Sequence, residues 1–215
     1  MNILVLCDNN RIFPEVVAIF KPYAACITNS HDINPQLDYN HIIKTYGLVF
    51  SVHCKKIFPK FLLEKVRCIN VHPGLNPHNK GMFPHVFSII NGLPAGVTIH
   101  EMTERIDDGP VIFQEEVKIS PHDTGETLYG RILKAEKQLL ASTVERIINH
   151  HYEALPKFGG NYNSMKDFKK ICLIDLSVSG EYLYNQLRAL SFNDYNNAIF
   201  NNHHIKLLIN ENANT

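Results

Sequence analysis

The sequence predicts an α/β protein on a doubly wound, mostly parallel, Rossmann-like sheet, with a short strand, helix and hairpin appendage at its C-terminal end. Three observations carry that prediction. Short apolar runs without alternation, at residues 2–6 (NILVL), 47–52 (GLVFSV) and 67–71 (RCINV), read as strands covered on both faces. Helical periodicity returns between them, at 15–21 (EVVAIFK) and 59–66 (PKFLLEKV). A chain of 215 residues is also long enough to bury one real core.

In order, residues 2–6 open as a buried strand, 15–21 form its crossover helix, and 24–28 (AACIT) form a second strand. Residues 34–46 are polar and suggest no clear element, after which 47–52 is the next strand. Pro59 opens the following helix, because proline is tolerated in a first turn. The strand at 67–71 then leads into Asn70-Val71-His72-Pro73-Gly74. Crossovers between parallel strands are right-handed, and ligands of such sheets bind outside the carboxyl ends of the strands. Val52-His53-Cys54-Lys55 and Asn70-Val71-His72 are therefore expected on one rim.

Downstream, residues 83–91 (FPHVFSIIN) read as an amphipathic helix closed by Gly92 and Pro94. Residues 95–101 and 111–119 alternate as strands around the turn Asp107-Asp108-Gly109-Pro110. Asp123-Thr124-Gly125-Glu126 has the spacing of a capping box. It opens the longest helix, with Leu128, Ile132, Ala135, Leu139 and Ile147 or Ile148 on one face and an end near His150. Composition changes near residue 156, dividing the chain into a core, 1–155, and an appendage, 156–215. The appendage is expected to hold a strand at 171–174, a helix at 182–189 and a hairpin through Ile199 and Ile205 to Leu208.

Lys+Arg and Asp+Glu are both 21, so the chain generates no global field to hold a polyanion, and a nucleic-acid polymer is not expected as a partner. The apolar start has no charged leader and no stretch is long enough to span a bilayer. A cytoplasmic protein with no membrane partner is expected. Five widely spaced cysteines, mostly in apolar runs, suit reduced core thiols better than disulfides. The histidines at 72, 78, 85, 150–151 and 203–204 have no acidic or thiol partners at metal-site spacing, so no metal is assigned.

Asn70 and His72, two apart on extended backbone, point the same way. An amide can donate to a developing oxyanion, and an imidazole can exchange a proton near neutral pH. A nearby carboxylate is expected to raise the imidazole pKa and fix the ring. With no Ser or Cys nucleophile in this loop, the set suits direct acyl transfer to an external amine. Taken singly, each part has an ordinary explanation: Asn-x-His as turn chemistry, Asp-Asp-Gly-Pro as a good turn, His100 as a hydrogen-bonded strand residue.

In order, Asn70-x-His72-Pro73-x-Leu75, Lys80-Gly81 with Pro84, Gly96-Val97-Thr98-Ile99-His100, Asp107-x-Gly109-Pro110 and Asp123-Thr124 resemble the folate-dependent formyltransferase family over about residues 1–150. The resemblance implies Asn70, His72 and Asp107 as the catalytic set, with Asp107 orienting a protonated His72. It implies N10-formyltetrahydrofolate as formyl donor, read by Val52, His53, Cys54, Lys55, Ile57 and Asp108 and by the loop before Asp107.

Within the family, the segments 74–77 and 81–91 look most like the enzymes that formylate dTDP-linked amino-dideoxyhexoses for surface glycans and O-antigen. Gly74 replaces the Ser of many relatives, and Met82 an aromatic residue. The resemblance implies an appendage contributing to nucleotide binding and a homodimer. Candidate contacts to a dTDP-amino sugar are Gly74, Asn76, Lys80, Met82, Phe83, Tyr162, Arg188, Phe192 and Tyr195, with Tyr162, Phe192 or Tyr195 stacking on thymine. Position 3 or 4 of the sugar, gluco or galacto, is left open. Other readings are a glycinamide ribonucleotide formyltransferase, a formyltetrahydrofolate hydrolase and a non-catalytic nucleotide-binding module. A dehydrogenase is disfavoured because no Gly-x-Gly-x-x-Gly follows the first strand.

Overall fold

The computed structural model describes residues 1–155, 159–193 and 195–207. Its centre is a six-stranded sheet in the order β2-β1-β3-β4-β6-β7. Four strands are parallel: β1 (Ile3–Cys7), β2 (Cys26–Thr28), β3 (Leu48–Val52) and β4 (Arg67–His72). The next two, β6 (Gly96–Glu101) and β7 (Val111–Glu116), pair antiparallel to their neighbours. The predicted mostly parallel α/β sheet is therefore present. Every residue of β1 and β3 is buried, the pattern of strands with both faces covered.

Helix α1 (Phe13–Phe20) buries Val16 and Phe20, and Phe20 packs on Phe50 of β3 with ring centroids 4.7 Å apart. The polar stretch at 34–46 contains α2 (Tyr39–Thr45), which buries only Ile42. With one apolar anchor in seven residues, its periodicity is weak. The helix expected at 59–66 is one turn, α3 (Lys60–Leu63), with Pro59 outside it as N-cap. Next come β5 (Lys80–Gly81) and α4 (Pro84–Asn91), the latter closed by Gly92 in the left-handed conformation, as its sequence predicts.

Helix α5 (Gly125–Ile148) begins one residue later than the expected capping box. Thr124 is the N-cap and Thr127 closes the box, because the Asp123 carboxylate is taken by the Ser120 N–H, Thr127 Oγ1 and Arg131. Leu128, Ile132, Ala135 and Ile147 are buried as expected, but Leu140 replaces Leu139 in the buried stripe.

After α5 come β8 (Tyr162–Asn163), α6 (Met165–Ile171), α7 (Gly180–Leu190), the pair β9 (Ser191–Phe192) and β10 (Tyr195–Asn196), and the hairpin β11 (Ala198–Phe200) and β12 (His203–Ile205). The strand expected at 171–174 is instead the end of α6 followed by a single bridge, Leu173 to Ile199. Helix 182–189 lies within α7, and the hairpin forms as expected; Leu208 lies outside the described residues. Cys172, Ile174, Ala189, Leu190 and Ala198 join the same apolar cluster as β1, β3 and α5. All five cysteines are free, and burial pushes Cys7 and Cys54 up to about 11. Among the described residues, no helix is long and apolar enough to cross a membrane.

Candidate active site

Two elements fix the first two functional side chains. Residues 70 and 72 lie on β4 directly opposite His100 and Thr98 of β6, so Asn70 and His72 point the same way at the carboxyl end of the parallel strands. The third comes from the β6–β7 connection, where Asp107 has φ +50° and its side chain turns back over β4. Asn70 Nδ2 donates to Asp107 Oδ1 at 3.0 Å, and His72 Nδ1 stands 3.5 Å from Asp107 Oδ2. The structure thus brings together the three residues singled out in the sequence.

His100 completes the cluster. Its Nδ1 donates to the Glu101 carbonyl at 2.8 Å, and its Nε2 lies 3.2 Å from Asn70 Nδ2 and 3.6 Å from Asp107 Oδ1. Asp107 is also held by the Gly81 N–H on Oδ2 (3.0 Å) and by Asn76 Nδ2 on its carbonyl (2.9 Å). Asn76 is itself seated by Thr98 and Gln114.

Burial pushes the Asp107 carboxyl upward, but His72, His100 and the Gly81 amide outweigh it and hold the group at about 2. Asp107 is therefore a carboxylate at neutral pH. For His72 burial wins over the carboxylate, and its pKa is lowered, contrary to the expected rise. The reason is depth: the ring is 5% exposed, and Nε2 is buried with no hydrogen-bond partner. A neutral imidazole whose Nδ1 faces a carboxylate presents a basic, unpartnered Nε2.

Gly74 sits against that nitrogen. A Cβ there would lie 2.5 Å from His72 Nε2 and 2.9 Å from Pro84 Cβ, so a side chain at this position has no room. Lys80, also buried, donates to Asp108 Oδ1 at 2.8 Å, and Arg105 lies 3.7 Å from Asp108 Oδ2. Its ammonium is thus oriented towards the loop that carries Asp107.

On the next strand, Val52 is the buried last residue of β3. His53 has φ +57°, and its side chain hydrogen-bonds buried Glu136 of α5 (2.8 Å). Cys54 is half-buried, and the Lys55 N–H donates to Asp8 at 2.7 Å. Ile57 and Ile106 are both more than half exposed, on the two loops assigned to the heterocycle.

Of the other sequence candidates, Met82 and Tyr162 are exposed beside one another's strands, since Lys80 pairs with Tyr162 and Gly81 with Asn163. Phe83 stacks on Phe168 at 4.0 Å, and so packs the C-terminal segment. Arg188 is buried, and its guanidinium donates to Asn185 and to the Ser120 and Asp123 carbonyls. That arrangement pins α7 to the start of α5. Phe192 lies beside Tyr129, His85 and Arg11, and Tyr195 is exposed. No group of three or more His, Cys, Asp or Glu placed to hold a metal occurs among the described residues.

Sequence reasoning did not find Asn79, His85 or Glu136. Each is a buried polar residue whose partners lie on other elements, so no local pattern marks it.

The family model described as "Formyl transferase" matches residues 13–144. A dTDP-4-amino-4,6-dideoxyglucose formyltransferase of Mycobacterium bovis is 44% identical over 162 residues, 74% of this chain and 69% of that protein. Among solved structures, a sugar N-formyltransferase from a Shewanella species aligns with TM-score 0.89 at 36% identity, over 98% of this chain and 99% of that one. A 4-N formyltransferase from Francisella tularensis gives 0.89 at 34%, over 98% of each. An N-formyltransferase from Helicobacter canadensis, solved with folinic acid and dTDP-3-aminofucose, gives 0.76 at 25%, over 94% of this chain and 85% of that one.

Proposed function

The chain belongs to the formyl transferase family, and from that premise we propose that it transfers a formyl group from N10-formyltetrahydrofolate to the C-4 amine of dTDP-4-amino-4,6-dideoxyglucose. The observation that carries the chemistry is the pairing of a neutral His72, its Nε2 unpartnered, with an Asn70–Asp107 hydrogen bond of 3.0 Å. The choice of C-4 is supported by the greater likeness to 4-N enzymes than to the enzyme solved with a 3-amino sugar.

The residues present fit the donor. Exposed Ile57 and Ile106 offer apolar surface to a flat heterocycle, and His72 Nε2 leaves one polar atom unanswered beside it. When bound, the donor supplies an electrophilic formyl carbon for the sugar amine. Asn70 lends an N–H to the formyl oxygen as negative charge develops there, releasing its longer contact to His100. His72 accepts a proton at Nε2 from the attacking nitrogen and returns it to the departing one. Asp107 holds His72 through Nδ1 and stabilises the ring while it is charged.

Lys80, Met82 and Tyr162 lie together on the loop and the strand paired with it, and we assign them to the sugar or diphosphate, with Tyr195 or Phe192 for the base. The division into a core, 1–155, and an appendage, 156–215, a homodimer, a cytoplasmic location and a role in surface-glycan assembly belong to the same reading. The test offers N10-formyltetrahydrofolate with dTDP-4-amino-4,6-dideoxyglucose or its 3-amino isomer and detects product by mass. Product from the 4-amino sugar is expected. Product from the 3-amino isomer alone would overturn the regiochemistry, and formate released without any amine would indicate a hydrolase.

A further inference from the structure

We infer that Asn79 is a positioning residue: its buried amide, tied to Asn161 and Asn163 of the C-terminal segment, holds β5 so that the Gly81 N–H stays on the Asp107 carboxylate.

Asn79 is fully buried, with φ +49°, a left-handed conformation that asparagine tolerates better than most residues. Its side chain uses its full capacity. Nδ2 donates to Ser88 Oγ (3.0 Å) and Asn91 Oδ1 (3.2 Å) on α4. Oδ1 accepts from Asn91 (2.8 Å), Asn161 (2.7 Å) and Asn163 (3.2 Å). Its own N–H donates to Asn161 Oδ1 at 2.8 Å. One amide therefore joins α4, the loop after β4 and the C-terminal segment.

The residues that follow run straight into the site. The Lys80 and Met82 N–H groups donate to the Asn161 and Asn163 carbonyls, β5 pairs in parallel with β8, and the Gly81 N–H between them is left for Asp107 Oδ2 at 3.0 Å. Two glycines permit the close approach. A Cβ on Gly81, at φ +90°, would lie 2.5 Å from the Asn163 carbonyl, and one on Gly160 would lie 2.0 Å from the Pro77 carbonyl. The amide donor that complements Asn70 on Asp107 is thus set by a segment some eighty residues further along the chain.

The inference rests on the transferase reading, so its test includes a readout that needs no turnover. Asn79→Gly removes the side chain and keeps the backbone angle. Asn163→Ala removes one partner from the other side. Displacing a catalytic group by about 1 Å can cost on the order of 100-fold, so each variant is expected to lower kcat by about tenfold or more with KM for the sugar little changed. The two losses should be non-additive in the double variant, because they break one network. In the NMR titration of the His72 ring, the midpoint should move in both variants, since Asp107 Oδ2 then answers to His72 without Gly81.

Gln186→Ala is the control: it loosens the same segment at the Ile171 and Leu173 carbonyls, away from this network. It should lower the melting temperature while leaving kcat and the His72 midpoint as in the wild type. Unchanged kcat and midpoint in Asn79→Gly, or an equal loss of kcat in Gln186→Ala at matched stability, would overturn the inference. Failure of the wild-type protein to formylate any dTDP-amino sugar would instead remove the proposed function, with the titration still reporting on Asn79.

Discussion

At the scale of residues, the site is governed by how deeply two ionisable groups are buried. Because burial lowers the His72 pKa, the limb of kcat/KM that depends on His72 should fall below the ordinary histidine value of 6.5, and activity should persist into mildly acidic buffer. A pH profile with its acid limb above 6.5 would contradict the neutral-base role. Replacing Asp107 by Ala removes the group that orients and stabilises the charged ring. It should cost about 100-fold or more in kcat while the far-ultraviolet dichroism of the fold is retained. Gly74 makes a steric argument instead. Its added Cβ would collide with His72 Nε2 and with the rigid Pro84 ring, so Gly74→Ala should displace the imidazole. The expected signature is a loss of kcat of at least about tenfold in a protein that remains folded.

At the scale of elements, what the sequence made legible follows from local patterning. Strands β1 and β3 read clearly because their runs are almost wholly apolar, β4 because Cys68, Ile69 and Val71 give it an apolar centre, and α4 because Gly92 closes it. Helix α6 was not read from the sequence: it is only seven residues long and none is fully buried, so Met165, Phe168 and Ile171 make a stripe of barely two turns. The two-residue strands β5 and β8 escape for another reason: their pairing joins segments far apart in the chain, which no local signal encodes. Asn70, His72 and Asp107 were legible as motifs, whereas Asn79 and His85 acquire their settings only when α4, α5 and the C-terminal segment converge. His85 is the sharper case, with its ring 4.8 Å from that of Tyr129 on α5 and Nδ1 buried without a partner. Burial pushes it down to about 3 from an ordinary 6.5. The unfolded chain takes up a proton that the fold refuses, so this contribution is complete above pH 6.5 and is lost as pH falls from 6.5 towards 3. Melting temperature should decline over that window, and His85→Phe should flatten the decline. An unchanged slope in the variant would place the acid sensitivity elsewhere.

At the scale of the whole molecule, the sheet and the segment beyond α5 share one core. Ile174, Ala189, Leu190 and Ala198 sit in the same cluster as β1, β3 and α5, and Arg188 bonds the backbone at the start of α5. The Ala189 carbonyl lies so near Gly125 that a Cβ there would come within 2.2 Å of it. A buried leucine contributes roughly 2 to 5 kcal/mol against its replacement by alanine. Removing the segment deletes Ile174 and Leu190 together and uncovers their partners on α4 and α5. The sum approaches the roughly 5 to 15 kcal/mol by which whole domains are stable. A chain ending at residue 155 should therefore lack a sharp calorimetric transition, although it retains Asn70, His72 and Asp107. In the full-length protein, Leu190→Ala should lower the melting temperature without selective loss of kcat, because Leu190 is buried in the apolar core at the end of α7. A cooperative transition of the shortened chain near the full-length midpoint would show instead that residues 1–155 fold on their own.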